Sequence, residues 1–161
     1  RLSQLDEGEE MPRESVDLYA EAEEAAENLR TAAEEKGVKL SLTGEGAEIS
    51  GVRRLVYEII YNLCDNAIKY NRPGGSVEVR VTQSESEAAV TVADTGIGIA
   101  PEDQARVFER FYRADKSRSK ESGGTGLGLS IVKHAVQYHH GSIDLKSTPG
   151  EGTTIKVTFP K

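Results

Sequence analysis

Cysteine occurs once in these 161 residues, at Cys64. A single thiol excludes an intrachain disulfide framework, and no ligand spacing of the kind a zinc site requires is present. Cys64 reads as a small buried apolar side chain. Long apolar runs are also missing: no stretch of roughly 18 or more apolar residues exists, so nothing in the sequence suits a membrane-spanning helix, and no secretory signal opens it. Positive charge is short, with 20 Lys and Arg against 27 Asp and Glu and a formal net charge of −7. That balance speaks against sequence-independent nucleic-acid binding, which needs cations to displace phosphate counterions. A polyanionic ligand must meet a local positive cluster instead. The polypeptide is expected to be soluble and, by charge and thiol usage, suited to the cytoplasm. It starts at Arg1 rather than Met, so a piece of a longer protein is expected.

What is present, 37% hydrophobic and 29% charged residues, suffices for one compact domain with a short appendage, not for a second full domain. Residues 1–10 carry Leu2 and Leu5 at helical spacing and then turn acidic, the pattern of a helix that begins further upstream. Residues 16–18 suit a short edge strand. Residues 19–36 are rich in Ala and Glu, with Leu18, Ala22, Ala25, Ala26, Leu29 and Ala33 at helical intervals and Gly37 where a C-terminal cap belongs. Residues 38–43 alternate as a strand, and a brief strand follows at 47–50.

A helix is expected from about residue 51 to 70. At ~100° per residue, Glu58, Asn62, Asn66 and Lys69 fall within roughly 80° of one another, while Val56, Ile59, Ile60, Leu63 and Ala67 form a separate apolar face. Two Asn inside a helix are mildly unfavourable for it. Either the stripe is an ordinary solvated face, or it serves a ligand.

After a Pro and Gly turn at residues 71–75, strands at 76–83 and 88–93 form a hairpin. The second runs into Asp94-Thr95-Gly96-Ile97-Gly98, a carboxylate at a strand end, placed either for a plain turn or for accepting hydrogen bonds from a ligand. A short helix lies within residues 101–112, with Phe108, Phe111 and Tyr112 at its end. The polar stretch at 114–124 reads as a mobile loop. Residues 123–129 (GGTGLGL) place glycines just before a helix expected at 125–138, a hinge or a phosphate cradle of free N–H groups. Strands at 142–147 and 153–159 close the chain. The fold class is α/β (α+β): a two-layer sandwich of a mixed sheet with helices on one face. His134, His139 and His140 lack a carboxylate or further ligand spacing for a metal, and are expected to be structural or solvent-facing.

Together and in this order, the Asn62–Asn66–Lys69 stripe, the Asp94 strand end and the glycine turn resemble the N, G1 and G2 boxes of the sensor histidine kinases, and FERFYR at 108–113 resembles their F box. The resemblance covers roughly residues 15–160 and implies the Bergerat ATP-binding fold of the GHKL superfamily. It implies residues 12–161 as the catalytic and ATP-binding domain, and residues 1–11 as the remnant of a dimerisation helix and linker.

The resemblance further implies ATP and Mg²⁺ as cofactors. Asp94 would accept from the adenine amino group, with Thr153 assisting through a water. Gly96, Gly98 and Ile99 would line the base and start a lid. Asn66 would ligate Mg²⁺, with Asn62 beside it, and Lys69 and Tyr70 would reach the phosphates and ribose. Gly124, Thr125, Gly126, Leu127, Gly128 and Leu129 would cradle the phosphates. Tyr112, Arg113, Lys116 and Arg118 would belong to the lid and supply the local positive cluster.

The partners implied are the protein's own dimerisation domain with its phosphoacceptor histidine, which this sequence does not contain, and a response regulator. No nucleic acid and no direct membrane contact are expected. The parent would be a homodimer, while this stretch alone is expected to be monomeric; the parent would be membrane-anchored with this part in the cytoplasm. Related ATPases place a water-activating glutamate four residues before the metal-binding asparagine, where this chain has Asn62, a poor base. Phosphotransfer to a protein is thus favoured over the alternatives: a GHKL-type serine kinase or ATPase, or a degenerate nucleotide-binding module.

Overall fold

A computed structural model describes residues 11–104, 106–108 and 128–161. In chain order the elements are β1 (Glu14–Asp17), α1 (Leu18–Lys36), β2 (Lys39–Gly44), β3 (Glu48–Gly51), α2 (Arg53–Lys69), β4 (Ser76–Gln83), β5 (Glu87–Asp94), α3 (Pro101–Gln104), α4 (Gly128–Tyr138), β6 (Ser142–Thr148) and β7 (Gly152–Pro160). Each strand and long helix lies where the sequence periodicity places it, within a few residues at its ends.

Asp17 starts α1. Its carboxylate accepts from the Tyr19 N–H and from the Ala47 N–H, both at 3.0 Å, so one side chain caps the helix and ties it to the segment before β3. Leu18, Ala22, Ala25, Leu29 and Ala33 are buried along one face. Gly37, at φ 77°, ends the helix in the left-handed conformation that only glycine adopts cheaply. In α2 the expected apolar face is buried, including Val56, Ile59, Ile60, Leu63 and Ala67, and Cys64 is buried with it. Burial pushes the Cys64 thiol up to about 12, so it stays protonated.

The main sheet has the order β2-β4-β5-β7-β6, with β2 and β4 parallel and the other pairs antiparallel; β1 and β3 form a separate antiparallel ribbon. Period-two burial gives the sheet one apolar face. Val77, Val79 and Val81 on β4, Ala88, Val90 and Val92 on β5, and Ile155, Val157 and Phe159 on β7 all point into the core. Arg80 and Lys156 stand on the solvent side. The helices cover the apolar face, which gives the expected two-layer mixed sandwich.

Register decides what closes that face at one end. Val77 pairs with Asp94, Asp94 with Thr153, and Thr153 with Ser147. Residues directly opposite one another share a face. The last inward row therefore changes from apolar to polar across three adjacent strands.

Candidate functional site

Asp94 continues the inward stripe of Ala88, Val90 and Val92, so strand geometry alone delivers its carboxylate to the covered face. One oxygen, Oδ1, accepts from the Gly96 N–H at 2.8 Å and from the Thr153 N–H at 3.2 Å. The other, Oδ2, takes no hydrogen bond from a described residue. Burial raises the Asp94 pKa above the usual carboxylate value, against the two N–H donors that favour the charged form.

The turn after Asp94 is held from several sides. Asn71 is fully buried: its amide nitrogen donates to the Ser76 carbonyl at 2.9 Å, and its oxygen accepts from the Arg72 N–H at 2.8 Å. The Arg72 guanidinium donates to the carbonyls of Thr95 (3.2 Å), Gly96 (3.1 Å) and Gly150 (2.8 Å), joining this turn to the one between β6 and β7. At Gly96 a Cβ would strike the Tyr70 carbonyl, which also accepts from Ile97 N–H at 3.1 Å. The end of α2 thus abuts the Asp94 turn, and glycine makes that approach possible. Gly98, at φ 74°, packs on the Thr148 backbone. The Ile99 N–H donates to Ser147 Oγ at 2.8 Å.

Along α2 the polar stripe meets a second element. The Asn62 amide nitrogen donates back to the Glu58 carbonyl at 2.7 Å, and its oxygen stands 3.2 Å from where a Cβ on Gly128 would sit. Asn62 and the first turn of α4 are therefore in direct apposition. The Asn66 side chain is half-buried and makes no hydrogen bond to a described residue. Lys69 pairs with Asp65 at 3.1 Å, one turn back on the same helix. Leu129 packs against the core.

The structure joins Tyr70, Gly96, Asp94 and Thr153 at the C-terminal end of α2, sets Gly98 and Ile99 against Thr148 and Ser147 at the end of β6, and places Asn62 against Gly128, while Asn66 and Lys69 continue the polar stripe of α2 and Leu129 packs on the core. Tyr112, Arg113, Lys116, Arg118, Gly124, Thr125, Gly126 and Leu127 lie outside the described residues. Among the described residues no group of three or more His, Cys, Asp or Glu is placed to hold a metal. A cation here would depend on Asn66 and on oxygens of its own ligand, a donor set suited to a hard ion.

Sequence reasoning missed Asn71, Arg72, Gln104 and Ser147. Ser147 carries a signal in its place at the end of the Ile143, Leu145, Ser147 alternation. Asn71 bonds within its own turn, as many turn residues do, and Arg72 and Gln104 reach carbonyls distant in sequence, which leave no local trace.

The family model described as histidine kinase-, DNA gyrase B-, and HSP90-like ATPase matches residues 51–161. Sensor-like histidine kinase SenX3 of Mycolicibacterium smegmatis is 40% identical over 162 residues, covering 99% of this chain and 42% of that protein. Sensor histidine kinase RppB of Synechocystis is 45% identical over 105 residues, covering 65% of this chain and 23% of RppB. This chain therefore spans less than half the length of these relatives. Among solved structures, a mycobacterial sensor histidine kinase, MprB, matches with a TM-score of 0.81 at 30% identity, covering 92% of this chain and 97% of that one. Full-length ShkA in complex with AMPPNP matches with a TM-score of 0.81 at 27% identity, covering 94% of this chain and 31% of that one. The inward carboxylate, the amide stripe against a glycine-led helix and these matches together place the chain in the histidine kinase-, DNA gyrase B- and HSP90-like ATPase family, as the catalytic ATP-binding domain of a sensor histidine kinase.

Proposed function

We propose that this domain binds ATP with Mg²⁺ between the Asp94 turn, the C-terminal half of α2 and the start of α4, and delivers the terminal phosphate to a histidine on a dimerisation segment of its parent protein. The observation that carries the reading is Asp94: an inward carboxylate with one oxygen held by two N–H groups and the other open. An open carboxylate oxygen accepts from an amino group and repels a carbonyl, so it favours adenine over guanine at that edge. The AMPPNP complex of the related ShkA is in keeping with this.

Phosphoryl transfer asks a protein mainly for positioning and charge stabilisation. Asp94 and Thr153 would hold the base, with Gly96, Gly98 and Ile99 beside it. Tyr70 and Lys69 would face the ribose and phosphates. Gly124 to Leu129 would supply N–H groups, and Arg113, Lys116 and Arg118, with Tyr112, would close over the triphosphate. The half-buried Asn66 amide, unbonded to described residues, fits a single protein ligand to Mg²⁺. When bound, that ion neutralises charge on the phosphates. Asn62 is no general base: its nitrogen is engaged with the Glu58 carbonyl and its oxygen faces Gly128. Water activation is thereby disfavoured, and transfer to a protein side chain is preferred.

The parent is a membrane-anchored homodimer with this domain on the cytoplasmic side, and its phosphohistidine serves a response regulator. Among the described residues no helix is long and apolar enough to cross a membrane. The test is Mg²⁺-dependent ATP binding by this chain beside Asp94→Asn and Asn66→Ala, with labelling of a separately supplied dimerisation domain. Loss of binding in Asp94→Asn, loss of Mg²⁺ dependence in Asn66→Ala, and labelling of the supplied domain but not of the chain itself are expected. Binding unaffected by both substitutions overturns the site; strong self-labelling overturns the transfer direction.

A further inference from the structure

Ser147 lies at the inner end of β6, in register with Thr153 and one strand further from Asp94. Its hydroxyl meets three groups: the Ile99 N–H at 2.8 Å, the Gly152 carbonyl at 3.0 Å and the Thr153 hydroxyl at 2.7 Å. A hydroxyl has one hydrogen and two lone pairs. The carbonyl can only accept, so the Ser147 hydrogen goes to Gly152. The amide can only donate, so it occupies one lone pair. What remains for Thr153 is the second lone pair, and the Thr153 hydrogen must therefore point at Ser147.

Thr153 then has only lone pairs to offer a ligand. Asp94, directly opposite on β5, likewise offers an acceptor in Oδ2. Gln104 secures the arrangement from the other side, its amide donating to the carbonyls of Ile99 at 2.9 Å and Ser147 at 3.1 Å.

We propose that Ser147 is a specificity-determining positioning residue, which fixes Thr153 as an acceptor so that the site takes a nucleobase presenting an amino group directly to that hydroxyl and rejects one presenting an oxo group. The proposal rests on the nucleotide reading above. A Thr153 hydroxyl released from Ser147 can turn and donate, and the oxo base then gains a partner.

The experiment is calorimetric binding of Mg-ATP and Mg-ITP to this chain, two nucleotides that differ only along the edge of the base that carries the 6-substituent. Ser147→Ala is expected to reduce the preference for ATP over ITP by about 5- to 10-fold, the worth of one hydrogen bond. Ser147→Thr keeps the hydroxyl and should hold the preference within about 2-fold of wild type. Thr153→Val should lose the same share, and the double variant Ser147→Ala/Thr153→Val should lose no more than Thr153→Val alone, because Ser147 acts through Thr153. An unchanged preference in Ser147→Ala, or additive losses in the double variant, overturns the proposal. Should Ser147→Ala fail to fold, Thr153→Val decides alone: an unchanged preference there overturns it equally. A wild-type chain that binds neither nucleotide overturns the ATP reading, and this proposal with it.

Discussion

Asp94 is held at a cost to the fold. Its pKa is raised by burial, so over the range from the usual value of 3.8 up to the folded value the native state holds the proton more tightly than the unfolded chain. Stability from this group is therefore lost as pH rises through that window, and at neutral pH the ionised carboxylate is a liability. Asp94→Asn keeps an oxygen for the Gly96 and Thr153 N–H groups and removes the buried charge. A thermal melt at neutral pH should give a midpoint equal to or above wild type, while ATP affinity falls by at least about 10-fold. A lowered midpoint would mean that the carboxylate is structural. His139 has the opposite sense. It is buried, donates from Nδ1 to the Ala135 carbonyl at 2.7 Å and accepts the Val52 N–H on Nε2 at 3.0 Å, an arrangement only the neutral ring can make. Burial, with Arg13 and His140 nearby, depresses its pKa below 6.5. The unfolded chain then takes the proton first, so stability is full above about pH 6.5 and declines as pH falls toward the folded value. Denaturant titrations across pH 5 to 7.5 should show that slope. His139→Ala should flatten it and cost about 2–4 kcal/mol through the orphaned Val52 N–H and the cavity.

The element scale separates what the sequence announces from what only the fold assembles. The periods of α1, α2 and the strands are legible because burial on one face imposes them, and Asp94 is legible because it breaks an apolar strand at its end. Gly37 is legible as a helix stop, and the stripe through Asn62 and Asn66 as two poor helix formers kept on one face. Illegible are contacts that depend on register. Nothing near Ser147 states that it will stand beside Thr153, nor does anything near Arg72 tell of the carbonyls of Thr95, Gly96 and Gly150. The buried Glu21, bonded to Arg53 at 2.9 Å, is not set apart in sequence from the other acids of α1. Arg72 carries a prediction of its own. Exposed, and with its guanidinium bound among the described residues only to backbone carbonyls, it contributes little to global stability but joins the turn after Asp94 to the one between β6 and β7. Arg72→Ala should shift the melting midpoint by no more than a few degrees. It should weaken ATP binding about 3- to 10-fold and speed amide exchange at Gly96 and Ile97. Unchanged exchange at those amides would exclude Arg72 as the link between the turns.

At the scale of the whole molecule, α2 and α4 lie antiparallel, since Asn62 faces Gly128 at one end while Val52 meets His139 at the other. The candidate site occupies the first end. The entering chain is fastened at the second: the Met11 N–H donates to the Tyr138 hydroxyl at 2.9 Å, and Arg13 donates to the carbonyls of Ser50 (3.2 Å) and Tyr138 (3.0 Å) with its guanidinium over the Tyr138 ring. From Val52 to Asn66 the helix runs roughly 21 Å. Changes that far apart, with no shared partner, add independently. Arg13→Ala and Tyr138→Phe should therefore lower stability by about 0.5–1.5 kcal/mol each and leave ATP affinity within about 2-fold. Asp94→Asn should do the reverse. Melting and calorimetry on the three single variants and on Arg13→Ala/Asp94→Asn test this directly. If releasing Arg13 moves ATP affinity several-fold, the paired helices transmit the state of the entering chain to the nucleotide, and the domain is a coupled body in which the attachment end and the chemical end report on each other.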